Sequence, residues 1–124
     1  MIGRWTLLAL LLIGGICRAD DASRPSAAEA RAAYDSGAVF VDVRTDAEWS
    51  AGHVANARHV PVDEVAADAA TVLPQKNEPV VLYCKSGRRA QSAAEQLRQL
   101  GYQHVTAMTG GYAELKAAGY PVVE

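Results

Sequence analysis

Aromatic residues are scarce in this 124-residue chain, at 6% with a single Phe, so the apolar half of the composition is carried largely by Ala, Val and Leu. Half the residues being hydrophobic excludes a disordered chain, and the length allows one domain. Small aliphatic side chains in that proportion point to a closely packed α/β unit. Long runs of Lys or Arg are absent too. Residues 20–124 hold 10 basic and 14 acidic side chains, a net charge of −4, which argues against nucleic acid or an anionic membrane as a partner. An anionic ligand must therefore be held by local charge. Cysteine is the scarcest informative residue, present as Cys17 and Cys84 alone.

The opening MIGRWTLLALLLIGGICRADD has Arg4 in a short basic lead, an apolar stretch from Trp5 to Ile16, and small residues at Cys17 and Ala19. That layout predicts a secretory signal peptide over residues 1–19, cut after Ala19. Its apolar stretch of about 12 residues falls short of the roughly 20 that a membrane span needs, so no membrane association is expected once the signal is removed. Processing leaves Cys84 alone in an oxidising compartment, where it cannot form a bridge within its own chain. It is either a buried, inert residue or a working thiol.

Residues 20–24 read as a polar, flexible lead-in to a domain over 25–124. Ser26 and Glu29 form a capping box, predicting a helix to about Ser36 with Gly37 as its stop. Val39–Val43 reads as a buried strand holding one acid, Asp42. Thr45 and Glu48 make a second capping box, opening a short helix that Gly52 ends. His59-Val60 is extended ahead of Pro61, and Asp63 is a candidate cap for a helix through about Ala70. Residues 79–83 form the second strong strand. The helix after the next loop runs to Leu100, with Ala90, Ala93, Ala94, Leu97 and Leu100 spaced as one buried face. A third strand covers 104–107, and a last helix 112–118 stops at Gly119. Strands separated by helices predict an open parallel sheet with helices on both faces. Ligands in such sheets bind beyond the strand C-termini, which is where Cys84 falls.

A cysteine between a buried strand and a helix start sits among unpaired helix amides, at the positive end of the helix dipole, where an anion is favoured and a thiol is easier to deprotonate. Lys85, Arg88 and Arg89 make this the densest basic cluster of residues 20–124, and Ser86 and Gly87 are small enough for the backbone to curl around a ligand on the sulfur. The sequence Cys84-Lys85-Ser86-Gly87-Arg88-Arg89 resembles the active-site loop of rhodanese, or sulfurtransferase, domains. Three other stretches resemble the same family: Val41-Asp42-Val43-Arg44, the segment from Glu48-Trp49 through Gly52-His53-Val54 to Pro61, and Gly110-Gly111 through Gly119-Tyr120-Pro121-Val122. Two positions depart from its pattern: Asn56 stands where Gly is usual and Leu115 where Trp is frequent.

The resemblance implies a rhodanese-like α/β fold and a thiosulfate sulfurtransferase, similar to periplasmic members of the family; the signal peptide places the expected protein in the periplasm, and a monomer is expected. The resemblance also implies that Cys84 takes a sulfur from a small anionic donor such as thiosulfate, forms a persulfide, and passes the sulfur to cyanide or a thiol. Lys85, Ser86, Gly87, Arg88 and Arg89 would bind the donor, with Arg89 and its neighbours stabilising the leaving sulfite, and no metal or organic cofactor is required.

Other residues carry less. Asp42 is expected to accept amides or pair with Arg44, while Arg44 and Arg58 read as solvated or as reaching the pocket mouth. His53 is expected to fix the loop after Gly52. His53 and His59 have no ligand spacing that would make a zinc site, His104 has no visible partner, and Trp49 is expected to pack under its short helix. A tyrosine-phosphatase or arsenate-reductase reading needs His-Cys, five residues, then Arg; Tyr83 precedes the cysteine here, and four residues separate Cys84 from Arg89. The non-enzymatic alternative is a sulfur carrier or binding module that loads once without turnover.

Overall fold

The computed structural model describes residues 24–124; the signal peptide expected over 1–19 and residues 20–23 of the expected lead-in lie outside the described residues. The strands are β1 (Val39–Asp42), β2 (His53–Val54), β3 (Arg58–His59), β4 (Val80–Cys84), β5 (Val105–Gly111) and β6 (Val122–Val123). The helices are α1 (Arg31–Asp35), α2 (Asp46–Ala51), α3 (Val65–Val72), α4 (Arg88–Gln99) and α5 (Tyr112–Ala117). A four-stranded parallel sheet has the order β3-β1-β4-β5, with Val41 opposite Leu82 at its centre. The short β2 and β6 pair antiparallel, His53 opposite Val123.

The two-residue period of the strands divides the core into two layers. Val39, Val41, Val43, Val80, Leu82 and Cys84 join Val65 and Ala69 of α3 and Ala90, Ala93, Ala94 and Leu97 of α4 in one cluster. Phe40, Val81 and Tyr83 meet Ala27, Ala30, Leu115 and Tyr120 in the other. A parallel sheet buried on both faces is the architecture the strand–helix alternation predicts.

Several boundaries differ from the sequence reading. The Ser26–Glu29 box forms, with Ser26 N–H donating to Glu29 Oε1 at 2.9 Å and Glu29 N–H to Ser26 Oγ at 3.2 Å. It closes only a turn, and the regular helix begins at Arg31. Asp63 caps nothing: it lies inside a 3-10 turn, Val62–Glu64, in which Glu64 N–H bonds back to the Pro61 carbonyl before α3 starts. Leu100 is exposed, because α4 ends at Gln99 and the chain turns away through Gly101. The strand expected over 104–107 is β5, which starts at Val105 and continues to Gly111. Both departures from the family pattern have physical reasons. Asn56 has φ +67°, a left-handed conformation that Asn tolerates better than most side chains and Gly adopts freely. Leu115 is fully buried in the second cluster, so an apolar residue is what that site needs.

Among the described residues, no helix is long and apolar enough to cross a membrane.

Candidate active site

Cys84 is the last residue of β4, not the first after it, and its side chain is fully buried on the α3/α4 face. Its Sγ accepts the backbone N–H of Gly87 at 3.0 Å. Gly87 is the N-cap of α4 and stands at φ +98°, where a Cβ is strained, and α4 has no side-chain cap. A loop amide and a helix start are thus turned toward the sulfur by one glycine. A second glycine holds the loop from the other side. Any Cβ on Gly111 would overlap the Cys84 carbonyl oxygen and crowd that of Lys85, so the end of β5 closes directly against the loop backbone.

The basic residues divide. Lys85, Ser86 and Arg88 are exposed. Arg89 is half-buried and already paired, its Nη1 donating to Glu48 Oε1 at 2.8 Å and its Nη2 to Oε2 at 3.3 Å. The partner arrives through the second capping box: Thr45 Oγ1 accepts Glu48 N–H, and Glu48 Oε1 accepts Thr45 N–H at 3.0 Å. The Arg89 bond first, with the Thr45 contacts, holds the Glu48 carboxyl down at about 2, against a smaller opposing effect of burial. An open cavity of about 440 Å³ lies beside this pair, lined by Val62, Asp63, Arg88, Arg89, Ser92 and Gln96. The structure therefore gathers Cys84, Gly87 and Arg89 at one helix start, and it engages Arg89 with a carboxylate.

A second ion pair is sealed under the C-terminal end of β1. Asp42 is fully buried, and Arg44, expected at a solvated face, is 6% exposed. Asp42 Oδ1 accepts the Arg44 backbone N–H at 2.9 Å, and its Oδ2 accepts Arg44 Nη2 at 2.6 Å. Nη2 also donates to the Gly52 carbonyl at 2.6 Å, while the guanidinium lies 4.5 Å from the centre of the Tyr112 ring. Burial alone would lower the Arg44 pKa; the bond to Asp42 and its charge reverse this and raise it. Burial, then the Asp42 charge, pushes the Tyr83 hydroxyl far above its usual range, and that oxygen accepts the Val54 N–H at 3.0 Å.

The remaining candidates are structural. His53 Nδ1 bonds the Trp49 carbonyl at 2.9 Å, and His59 Nε2 bonds that of Arg44 at 2.8 Å. Both imidazoles stack on the Trp49 indole, with ring centres 3.5 and 4.7 Å away. Arg58 Nη1 donates to the Val72 carbonyl and stays exposed. Two participants were missed in the sequence. Glu48 was visible only as a cap, although its place in a motif that includes Gly52-His53 was a signal. Arg24 was assigned to the lead-in, yet its guanidinium donates to the Gly87 carbonyl at 2.9 Å. No pattern in the sequence marks that contact.

The parallel sheet thus holds a buried cysteine at a central strand's C-terminal end, facing a helix start. The family is shown by comparison: the Rhodanese-like domain matches residues 26–118, and the chain belongs to that family. It is 39% identical over 66 residues to the thiosulfate sulfurtransferase PspE of Escherichia coli, covering 53% of this chain and 64% of that one. It is 36% identical over 92 residues to the thiosulfate sulfurtransferase GlpE of Pseudomonas fluorescens, covering 74% and 82%. The tRNA uridine(34) hydroxylase of Erwinia tasmaniensis is 38% identical over 93 residues, 71% of this chain but 27% of its own length. The chain thus spans less than two thirds of the Escherichia and Erwinia relatives. Among solved structures, a rhodanese with anions from E. coli superposes with a TM-score of 0.62 at 34% identity, covering 71% of this chain and 99% of its own.

Proposed function

We propose that the protein is a thiosulfate sulfurtransferase working through a persulfide on Cys84. The observation that carries this reading is the Cys84 sulfur at the end of β4, hydrogen-bonded to the Gly87 amide at the start of α4. In the first step the Cys84 thiolate attacks the outer sulfur of thiosulfate. The new S–S bond forms as the old one breaks, and its electron pair leaves with sulfite. In the second step cyanide attacks the terminal persulfide sulfur, giving thiocyanate and returning the thiolate; a thiolate acceptor leaves as a persulfide in the same way. Splitting the transfer this way is nucleophilic covalent catalysis, and neither step needs an external oxidant or a cofactor.

The Gly87 N–H and the α4 start stabilise the charge on the thiolate and the persulfide. Arg88, Lys85 and Ser86 are free at the loop surface to meet the donor. Arg89 reaches it by exchanging its bond with Glu48 for one with the sulfonate end, where a planar guanidinium matches an oxyanion. Export by residues 1–19, action in the periplasm as a monomer, and thiosulfate in place of another sulfane donor all belong to this proposal. The thiosulfate sulfurtransferase names of PspE and GlpE support it.

Steady-state thiocyanate formation from thiosulfate and cyanide is the test, with Cys84→Ser in parallel. Repeated turnover is expected, falling about a thousandfold or more in the variant. A single stoichiometric release of sulfur would favour the carrier. Equal rates in the two proteins would refute the role of Cys84.

A further inference from the structure

The described chain begins at Arg24 and Pro25, beside the outer edge of β5. The Pro25 carbonyl accepts the Thr109 backbone N–H at 2.8 Å and the Thr109 hydroxyl at 3.2 Å, which fastens this segment to the edge strand. From that anchor the Arg24 guanidinium spans three carbonyls. Nε donates to Ala107 O at 3.1 Å, and Nη2 donates to Met108 O at 3.0 Å and to Gly87 O at 2.9 Å. Nη1 lies 3.4 Å from Gln91 Oε1, one turn into α4.

Two of those carbonyls belong to β5, the edge strand of the sheet. The third is different. Gly87 O already accepts the first bond of α4, from Gln91 N–H at 3.1 Å, and Arg24 takes its remaining acceptor capacity. The amide of the same residue faces Cys84 Sγ at 3.0 Å. A Cβ at Gly87 would stand 3.0 Å from Arg24 Nη2, so the bare glycine also makes room for the guanidinium. One residue therefore touches the sulfur through its N–H and Arg24 through its C=O. Arg24 lies ahead of residues 26–118, the segment matched to the family.

We propose that Arg24 is a positioning residue for Cys84: by tying the Gly87 carbonyl to β5 it holds the Gly87 N–H on the sulfur, in the thiolate and in the persulfide formed from it. Its effect on turnover rests on the sulfurtransferase reading, but its effect on the thiol does not. Alkylation of Cys84 by iodoacetamide, followed across pH on the peptide that contains Cys84, reads the geometry without any sulfur donor.

The experiment compares the protein with Arg24→Ala and Arg24→Lys in three readouts: that alkylation profile, kcat and KM with thiosulfate and cyanide, and thermal melting. Loosening the Gly87 N–H from the sulfur should slow alkylation of Cys84 in Arg24→Ala several-fold and so displace its profile from the parent's. Loss of support behind the site should lower kcat about tenfold, with KM changing less. Arg24→Lys, which can still hold one carbonyl, should recover part of both effects and melt close to the parent. If Arg24→Ala fails to fold, the Lys variant still decides, because the proposal requires an intermediate profile. Profiles that overlay the parent's in folded variants would overturn it. A shifted profile in a protein that turns over no thiosulfate would sustain the positioning role while the donor assignment failed.

Discussion

The two arginine–carboxylate pairs near the C-terminal end of the sheet use the same chemistry in opposite settings. Asp42–Arg44 is sealed, with side-chain exposures of 0% and 7%, and every bond it makes stays within the protein. Glu48–Arg89 is about one-third exposed on both sides, at 31% and 32%, and borders an open cavity. Burial makes the first pair a fixture, since either charge alone would be stranded in a low-dielectric interior. Partial exposure makes the second exchangeable, because water screens each charge when the partner leaves. Exposure thus separates the two arginines into one held in place and one able to change partners.

Removing one half of the sealed pair should give the largest effect. Arg44→Met leaves the Asp42 carboxylate buried without its partner and is expected to cost about 3–5 kcal/mol in stability. Chemical denaturation would show it as a lower midpoint with an unchanged slope. A loss below about 1 kcal/mol would mean that the pair is not a fixture.

Opening the exchangeable pair should act on binding. Glu48→Gln keeps a side chain able to accept from Thr45 while releasing Arg89 from a charged competitor. The KM for thiosulfate is expected to fall several-fold, an effect of about 1 kcal/mol, with kcat changed little. An unchanged KM would show that Arg89 does not meet the donor and serves only to fasten α2 to α4.

The smallest effect is a pH dependence. Arg89 holds the folded-state Glu48 carboxyl at about 2, below its ordinary 4.5, so the ion pair contributes stability above pH 4.5 that is lost as the pH falls toward 2. Melting of the parent should therefore drop through that window more than melting of Glu48→Gln does. Parallel curves would place the Glu48–Arg89 bond outside the stability of the fold. Glu48 stays ionised throughout the neutral range, so a bend in activity near pH 7 belongs to another group.

The sealed pair was partly legible in the sequence, since a lone acid in an apolar strand demands a partner and Arg44 was the nearest. What could not be read was that the backbone curls back to bury Arg44 beneath the Gly52 carbonyl and the Tyr112 ring. Cys84 was legible because a strand end, a small-residue loop and a helix start follow one another within a few residues. The orientation of Arg89 was not, because its partner lies 41 positions earlier on an element brought close only by the sheet. Arg24 was hidden for the same reason, 63 residues from the carbonyl that it holds. The β2–β6 pair, two residues a side, is too short to carry a periodic signal. Periodicity reports the face that an element buries; it does not report which distant side chain leans on a loop.

The central claim is that sulfur resides on Cys84 between two half-reactions. The most direct measurement is the intact mass of the reduced protein after thiosulfate alone, followed by fragment masses that locate any addition. The account predicts one added sulfur atom per chain, located on Cys84, removed by cyanide with the original mass restored, and absent from Cys84→Ser. An unmodified Cys84 in protein that is nonetheless producing thiocyanate would contradict it.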